Sequence, residues 1–231
     1  CIRDSSNRFG FFPAFSLGWV ISNESFMDNL RNNGIISNLK LRASVGKVGN
    51  DGLGSTRFLY LDNIDLQYHT SHIPSLGNRV KIYERMVGNK NIHWEVAWKQ
   101  NYAVDLTLFD DLDLTFDYFI EDRSDILIER NTVPAISGLT SSQLPRVNMG
   151  EIKNKGYEIT LDYNTDITRD LNINFGGNFS YARNKVISAD EAVLSSDYAY
   201  RYRETGFSLG QNWGYIIDHT VDLSLIHISE P

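Results

Sequence analysis

The chain is poor in the residue types that would build several familiar classes of protein. Its one cysteine, Cys1, allows no internal disulfide and no thiolate zinc cluster. No apolar run is long enough for a membrane-spanning helix, although a β-barrel crosses lipid without one. An excess of basic residues is also missing. With 22 Lys and Arg against 29 Asp and Glu, the formal net charge is −7, and a nucleic-acid surface would need a basic patch to displace phosphate counterions. At 231 residues the chain could still bury the core of one globular domain.

What it has instead is alternation. Successive side chains of a strand point to opposite faces, so period-two patterning marks a strand with one apolar side. Tyr157, Ile159, Leu161 and Tyr163 alternate with Glu158, Thr160, Asp162 and Asn164. Leu171, Ile173, Phe175, Phe179 and Tyr181 oppose Asn172, Asn174, Gly176, Asn178 and Ser180, and Leu112, Leu114, Phe116, Tyr118 and Ile120 oppose Asp113, Thr115, Asp117, Phe119 and Glu121. In these three segments every charge falls on one parity. Trp94–Phe109, Leu39–Val45 and Phe11–Ile21 follow the rule less strictly, with Gln100 an exception on the apolar side and Pro13 suited to a strand end.

Connections alternate in length. Tight turns are expected at Asp110-Asp111 and Thr168-Arg169-Asp170, and the polar link from Ser22 to Gly34 suits one helical turn around Ser25, Phe26 and Leu30. Long connections run over Gly49–His93, Glu129–Met149 and Ser188 to about Gly210. Barrels with short turns on one rim and long loops on the other have this rhythm, whereas a soluble sandwich spaces its strands more evenly. The segments are also longer than the roughly 5–6 residues of soluble strands and suit the about 9–11 tilted residues that cross a bilayer. Trp19, Trp94, Trp98, Tyr157, Tyr163 and Tyr181 lie near strand ends, as an interfacial girdle requires; the competing explanation is that aromatics favour strands generally. The expected fold is all-β, an antiparallel up-and-down meander forming a partial segment of a large transmembrane β-barrel.

No catalytic, cofactor-binding or metal motif stands out. His69 and His72 form an H-x-x-H pair with no third ligand nearby, which suits a solvated loop better than a zinc site. Asp110 and Asp111 suit a turn. Gly49-Asn50-Asp51-Gly52-Leu53-Gly54 has no following helix to bind a phosphate, so it too is expected to be a turn. Two groups remain as candidate contacts for a solute. Glu158, Asp162, Asn172, Asn174 and Asn178 would face a barrel lumen, either touching a passing solute or simply lining the wall. The loop aromatics Tyr60, Tyr68, Tyr83, Tyr198, Tyr200 and Tyr202 suit stacking on sugar rings or ordinary loop packing equally well.

Several stretches, taken together and in order, carry a resemblance to a known family. They are Gly10-Phe11-Phe12-Pro13-Ala14-Phe15-Ser16-Leu17-Gly18-Trp19, then Ile36 through Leu39-Lys40-Leu41-Arg42-Ala43-Ser44-Val45-Gly46 to Asn50, then Trp94-Glu95 through Tyr102. Asn148-Met149-Gly150-Glu151-Ile152-Lys153-Asn154-Lys155-Gly156-Tyr157-Glu158 and a late Gly-rich aromatic stretch from Gly206 to Tyr215 complete the series. In this order they resemble the barrel of SusC/RagA-type TonB-linked outer-membrane proteins of Bacteroidota. The resemblance implies about six or seven strands of a larger barrel over residues 1–222, truncated at both ends and without its plug, TonB box or signal peptide. It implies import of a bulky nutrient such as an oligosaccharide or peptide, without enzymatic activity or cofactor. The implied partners are the TonB–ExbB–ExbD complex, a SusD-like surface lipoprotein, outer-membrane lipid and the nutrient itself, with no nucleic acid. The last residues, 223–231, resemble a translated sequencing adapter and are expected to be non-native. A passive porin-like barrel and a soluble β-sheet adhesin or glycan-binding module are the alternatives that alternation alone leaves open.

Overall fold

A computed structural model describes residues 5–52, 58–73, 77–133, 135–192 and 203–213, apart from the side chains of 66–83, 135 and 141. Eight strands are described: β1 (Ala14–Val20), β2 (Ile36–Asn50), β3 (Asn63–Ile73), β4 (Gly77–Met86), β5 (Glu95–Leu108), β6 (Leu112–Ile128), β7 (Val147–Thr168) and β8 (Leu171–Ser188). Six form one antiparallel sheet in the order β1-β2-β5-β6-β7-β8. Among the described residues, the remaining two, β3 and β4, pair only with each other. The meander therefore follows chain order once this hairpin, carried by the long connection after β2, is set aside.

The strands extend well past the alternating cores that define them in the sequence. β7 has 22 residues and β8 has 18, and at about 3.3 Å per residue β7 spans roughly 70 Å. The added length lies mostly toward the rim with the long connections, where alternation gives way to charged and mixed residues on both faces. The opposite rim holds the β5–β6 and β7–β8 turns and the link from β1 to β2. In the first turn Phe109 and Asp110 both take positive φ, 57° and 60°, as two-residue hairpin turns require. Neither Arg169 nor Asp170 does so, and β7 instead shifts register between Asp166 and Thr168. The β1–β2 link contains the short helix α1 (Asp28–Asn32) and turns at 21–23 and 25–27, in the place expected for a helical turn.

Among the described residues, the sheet has no apolar core beneath it. Phe15, Leu17, Trp19, Tyr102, Phe175, Phe179 and Tyr181 are exposed on a single face, Phe15 and Phe175 each at 65%. Among the described residues, no second layer covers that face. A cluster of buried hydrophobic residues lies among the long connections, where Leu59 (3%) and Ile92 (1%) pack with Tyr60, Met86, Trp94 and Leu127. Asn148 fastens this cluster to the sheet. Its amide donates to the carbonyls of His93 and Asp125 and accepts from the His93 N–H. Further along the same rim, the Asp190 carboxylate accepts from Thr132 Oγ1 and from the Asn131 and Thr132 N–H groups. Burial pushes this carboxyl up, but those hydrogen bonds and nearby Arg130 outweigh it and hold the group below its ordinary value.

Candidate functional site

The register turns the alternation of single strands into continuous rows across the sheet. On the apolar face, Tyr102, Tyr118, Tyr157 and Tyr181 are successive cross-strand partners on β5, β6, β7 and β8. The Tyr157 ring lies 5.6 Å from Tyr181, 6.0 Å from Phe179 and 6.4 Å from Phe116. Toward the short-turn rim the same four strands carry the rows Val104-Phe116-Ile159-Phe179 and Leu106-Leu114-Leu161-Gly177. Toward the long loops the row becomes Gln100-Ile120-Lys155-Arg183. This explains the Gln100 exception: it sits just past the aromatic row, where its amide oxygen accepts from Tyr102 Oη at 3.1 Å. On β8 the apolar stretch from Leu171 to Tyr181 covers 11 residues, the span that about 9–11 tilted residues give a membrane strand.

Of the aromatics expected to form a girdle, Tyr157 and Tyr181 belong to this row, while Tyr118 and Tyr102 join it unforeseen. Trp94 does not take part. It precedes β5 and packs in the loop cluster, edge-on to Phe12 at 5.4 Å. The sequence could not separate it from girdle residues, because it continues the parity of Val96 and Trp98.

The opposite face is polar and held by charge pairs. Arg42 donates from Nε and Nη2 to both Asp105 oxygens at 2.8 and 2.7 Å, with Asp117 3.7 Å away. Arg123 bridges Glu121 and Glu95, and Lys99 lies 3.6 Å from Glu121. Such forked guanidinium–carboxylate contacts fix neighbouring strands in register. Apart from Arg123–Glu121, two residues apart on β6, they join residues far apart in sequence, so only the strand pairing reveals them. Glu158 and Asp162 lie on this face opposite Asp117 and Asp113. Asn178 faces Thr160 and Asn174 faces Asn164. Asn172 donates to Asn164 Oδ1 and Asp166 Oδ1, both at 2.8 Å. The five candidate wall residues thus share one face, spread along it rather than gathered into a pocket.

The candidate loop tyrosines do not form a group in the described structure. Tyr60 packs against the Leu59–Ile92 cluster, with its ring 6.4 Å from that of Phe58. Tyr68 lies in β3 and Tyr83 in β4, with side chains outside the description. Tyr198, Tyr200, Tyr202 and residues 223–231 lie outside the described residues. His69 and His72 fall within β3 rather than in a loop. Asn50 Oδ1 accepts from the Gly52 N–H, closing a turn after β2.

Comparison with known proteins agrees with this geometry. Residues 3–225 match the family model described as TonB dependent receptor-like, beta-barrel. TonB-dependent receptor P39 of Formosa agariphila is 33% identical over 221 residues, covering 92% of this chain and 20% of that protein. TonB-dependent receptor SusC of Bacteroides thetaiotaomicron is 25% identical over 209 residues, covering 89% of this chain and 20% of SusC. Among solved structures, the RagAB peptide importer in its closed-closed state superposes with a TM-score of 0.67 at 22% identity, covering 88% of this chain and 21% of that one. At that identity the likeness speaks for the fold. The chain spans about a fifth of the length of these relatives. It is a segment of an outer-membrane β-barrel, and it belongs to the TonB-dependent receptor-like β-barrel family.

Proposed function

We propose that this segment is part of the wall of a SusC/RagA-type importer, which takes up a bulky nutrient such as an oligosaccharide or peptide and uses energy delivered through TonB. The observation that carries the reading is the family match along nearly the whole chain. The sheet supports it independently. Its apolar face would lie against lipid, and its polar face would line an aqueous lumen, where the pairs around Arg42 and Arg123 stay hydrated. Glu158, Asp162, Asn172, Asn174 and Asn178 are then wall residues able to touch a solute, while Tyr60 serves loop packing. The TonB–ExbB–ExbD complex and a SusD-like surface lipoprotein are the partners of this reading, and it assigns the segment no catalytic step. A soluble adhesin fits poorly, because it would leave the row of tyrosines and the apolar rows below it in water.

Energy dependence separates active import from a passive channel. The full-length receptor, expressed in cells with and without TonB, is to be tested for uptake of labelled oligosaccharides and oligopeptides. Uptake of at least one should fall to background without TonB or after collapse of the proton gradient. Uptake that survives both treatments would establish a porin-like barrel.

A further inference from the structure

From the outward face of β7 and β8 we infer a binding site for a phosphorylated lipid headgroup of the outer leaflet. Immediately past the Tyr157–Tyr181 pair, Lys155 faces Arg183 across the two strands, and two residues further on Lys153 faces Lys185. All four side chains are exposed on the parity of the tyrosines. Like charges directly opposite each other on one face of a sheet repel, and here two such pairs are stacked. On the polar face Arg42, Lys99 and Arg123 each stand beside a carboxylate. The outward cluster is different. Lys155, Arg183 and Lys185 have no ion pair among the described residues, and only Lys153 has one, Asp122 at 3.4 Å. A counter-anion from outside the chain would relieve that repulsion.

The surroundings select its source. The four cations border a groove of about 510 Å³ whose far side is formed by Gly206, Phe207 and Ser208. That segment is fastened to the β8 edge by hydrogen bonds between Gly206 N–H and the Val186 carbonyl and between Val186 N–H and the Phe207 carbonyl. The cation rows lie on the long-loop side of the tyrosine row, the side that faces outward in barrels of this kind, and Lys155 and Arg183 stand two residues from Tyr157 and Tyr181 on the same face. A free phosphate would use only the cations. A lipid would place its phosphate among them, with Arg183 offering a planar fork, and lay its acyl chains over Tyr157, Phe179 and Ile159. This inference rests on the outer-membrane placement and on the long loops facing outward.

The test is native mass spectrometry of the detergent-purified full-length receptor with monophosphoryl lipid A, with its dephosphorylated form, and with inorganic phosphate. Wild-type protein should retain the phosphorylated lipid about ten-fold better than the dephosphorylated one, and the K155Q/R183Q variant should lose that preference. The single variant R183Q, at an exposed position, should lose part of it and serves if the double variant misfolds. K40Q, on the polar face, should bind as wild type. Equal retention of the two lipids, undiminished retention by both variants, or saturation of the site by inorganic phosphate alone would overturn the inference. Insertion into lipid vesicles, measured on the same samples, distinguishes failure of the site from failure of the membrane placement.

Discussion

Leu161→Arg should destabilise the full-length barrel in lipid vesicles by about 2–4 kcal/mol, the cost of a cation on the lipid face near the midplane. Leu161 stands between Leu114 and Gly177, with Phe116-Ile159-Phe179 on one side of its row and Leu112-Tyr163-Phe175 on the other. A guanidinium there would meet only apolar side chains in its own row and the two adjoining rows. Asp162→Arg, one residue along, should change stability by no more than about 0.5 kcal/mol. Asp162 faces Asp113 across β6, so the wild type already sets two like charges opposite each other. Arginine would replace that repulsion with an attraction on a hydrated face. Urea titrations of folding into vesicles measure both, and equal costs would mean that the faces are wrongly assigned.

Gly156→Val should cost about 1–3 kcal/mol, the usual range for forcing extra atoms into a filled space. Gly156 is buried on the polar face, opposite Phe119 on β6 and Ala182 on β8. A Cβ at this position would meet the Tyr181 carbonyl oxygen, and it would stand 2.6 Å from Phe119 Cζ. The ring can swing away, but the backbone oxygen cannot move without opening the β7–β8 ladder. Phe119→Ala should therefore rescue Gly156→Val only in part, as read by the same titrations. Full rescue would show that the ring alone blocks the site. The pair also explains a large apolar residue on a charged parity: an aromatic side chain covering a cross-strand glycine shields a backbone that has no side chain of its own.

Alternation made the membrane-crossing part of each strand legible, because one face must be apolar from end to end there. In β7 the unbroken pattern from Tyr157 to Asn164 marks only part of a strand that runs from Val147 to Thr168. Above Tyr157 the outward parity carries Lys155 and Lys153, and the rule that identifies the strand no longer applies. The β3–β4 hairpin was hidden for a related reason. Its strands belong to a long connection and are not constrained to present an apolar face to lipid. The wall residues Glu158, Asp162, Asn172, Asn174 and Asn178 could be placed on a common face from parity alone. Their neighbours could not, since the Arg42–Asp105 fork joins residues 63 positions apart and depends on β2 pairing with β5 across the inserted hairpin. Trp94 misled because parity persists for a residue beyond the strand that sets it.

The orientation of the two faces is tested most directly by environment-sensitive labels placed one at a time on β7. Single cysteines at 158 through 163, with Cys1 replaced by serine, would each carry a fluorophore in the full-length receptor reconstituted in vesicles. Quenchers attached to lipid acyl chains should dim labels at Ile159, Leu161 and Tyr163. A water-soluble quencher should dim those at Glu158, Thr160 and Asp162, giving a period of two with opposite phase for the two quenchers. The same period with the phases exchanged, or no period at all, would contradict the account.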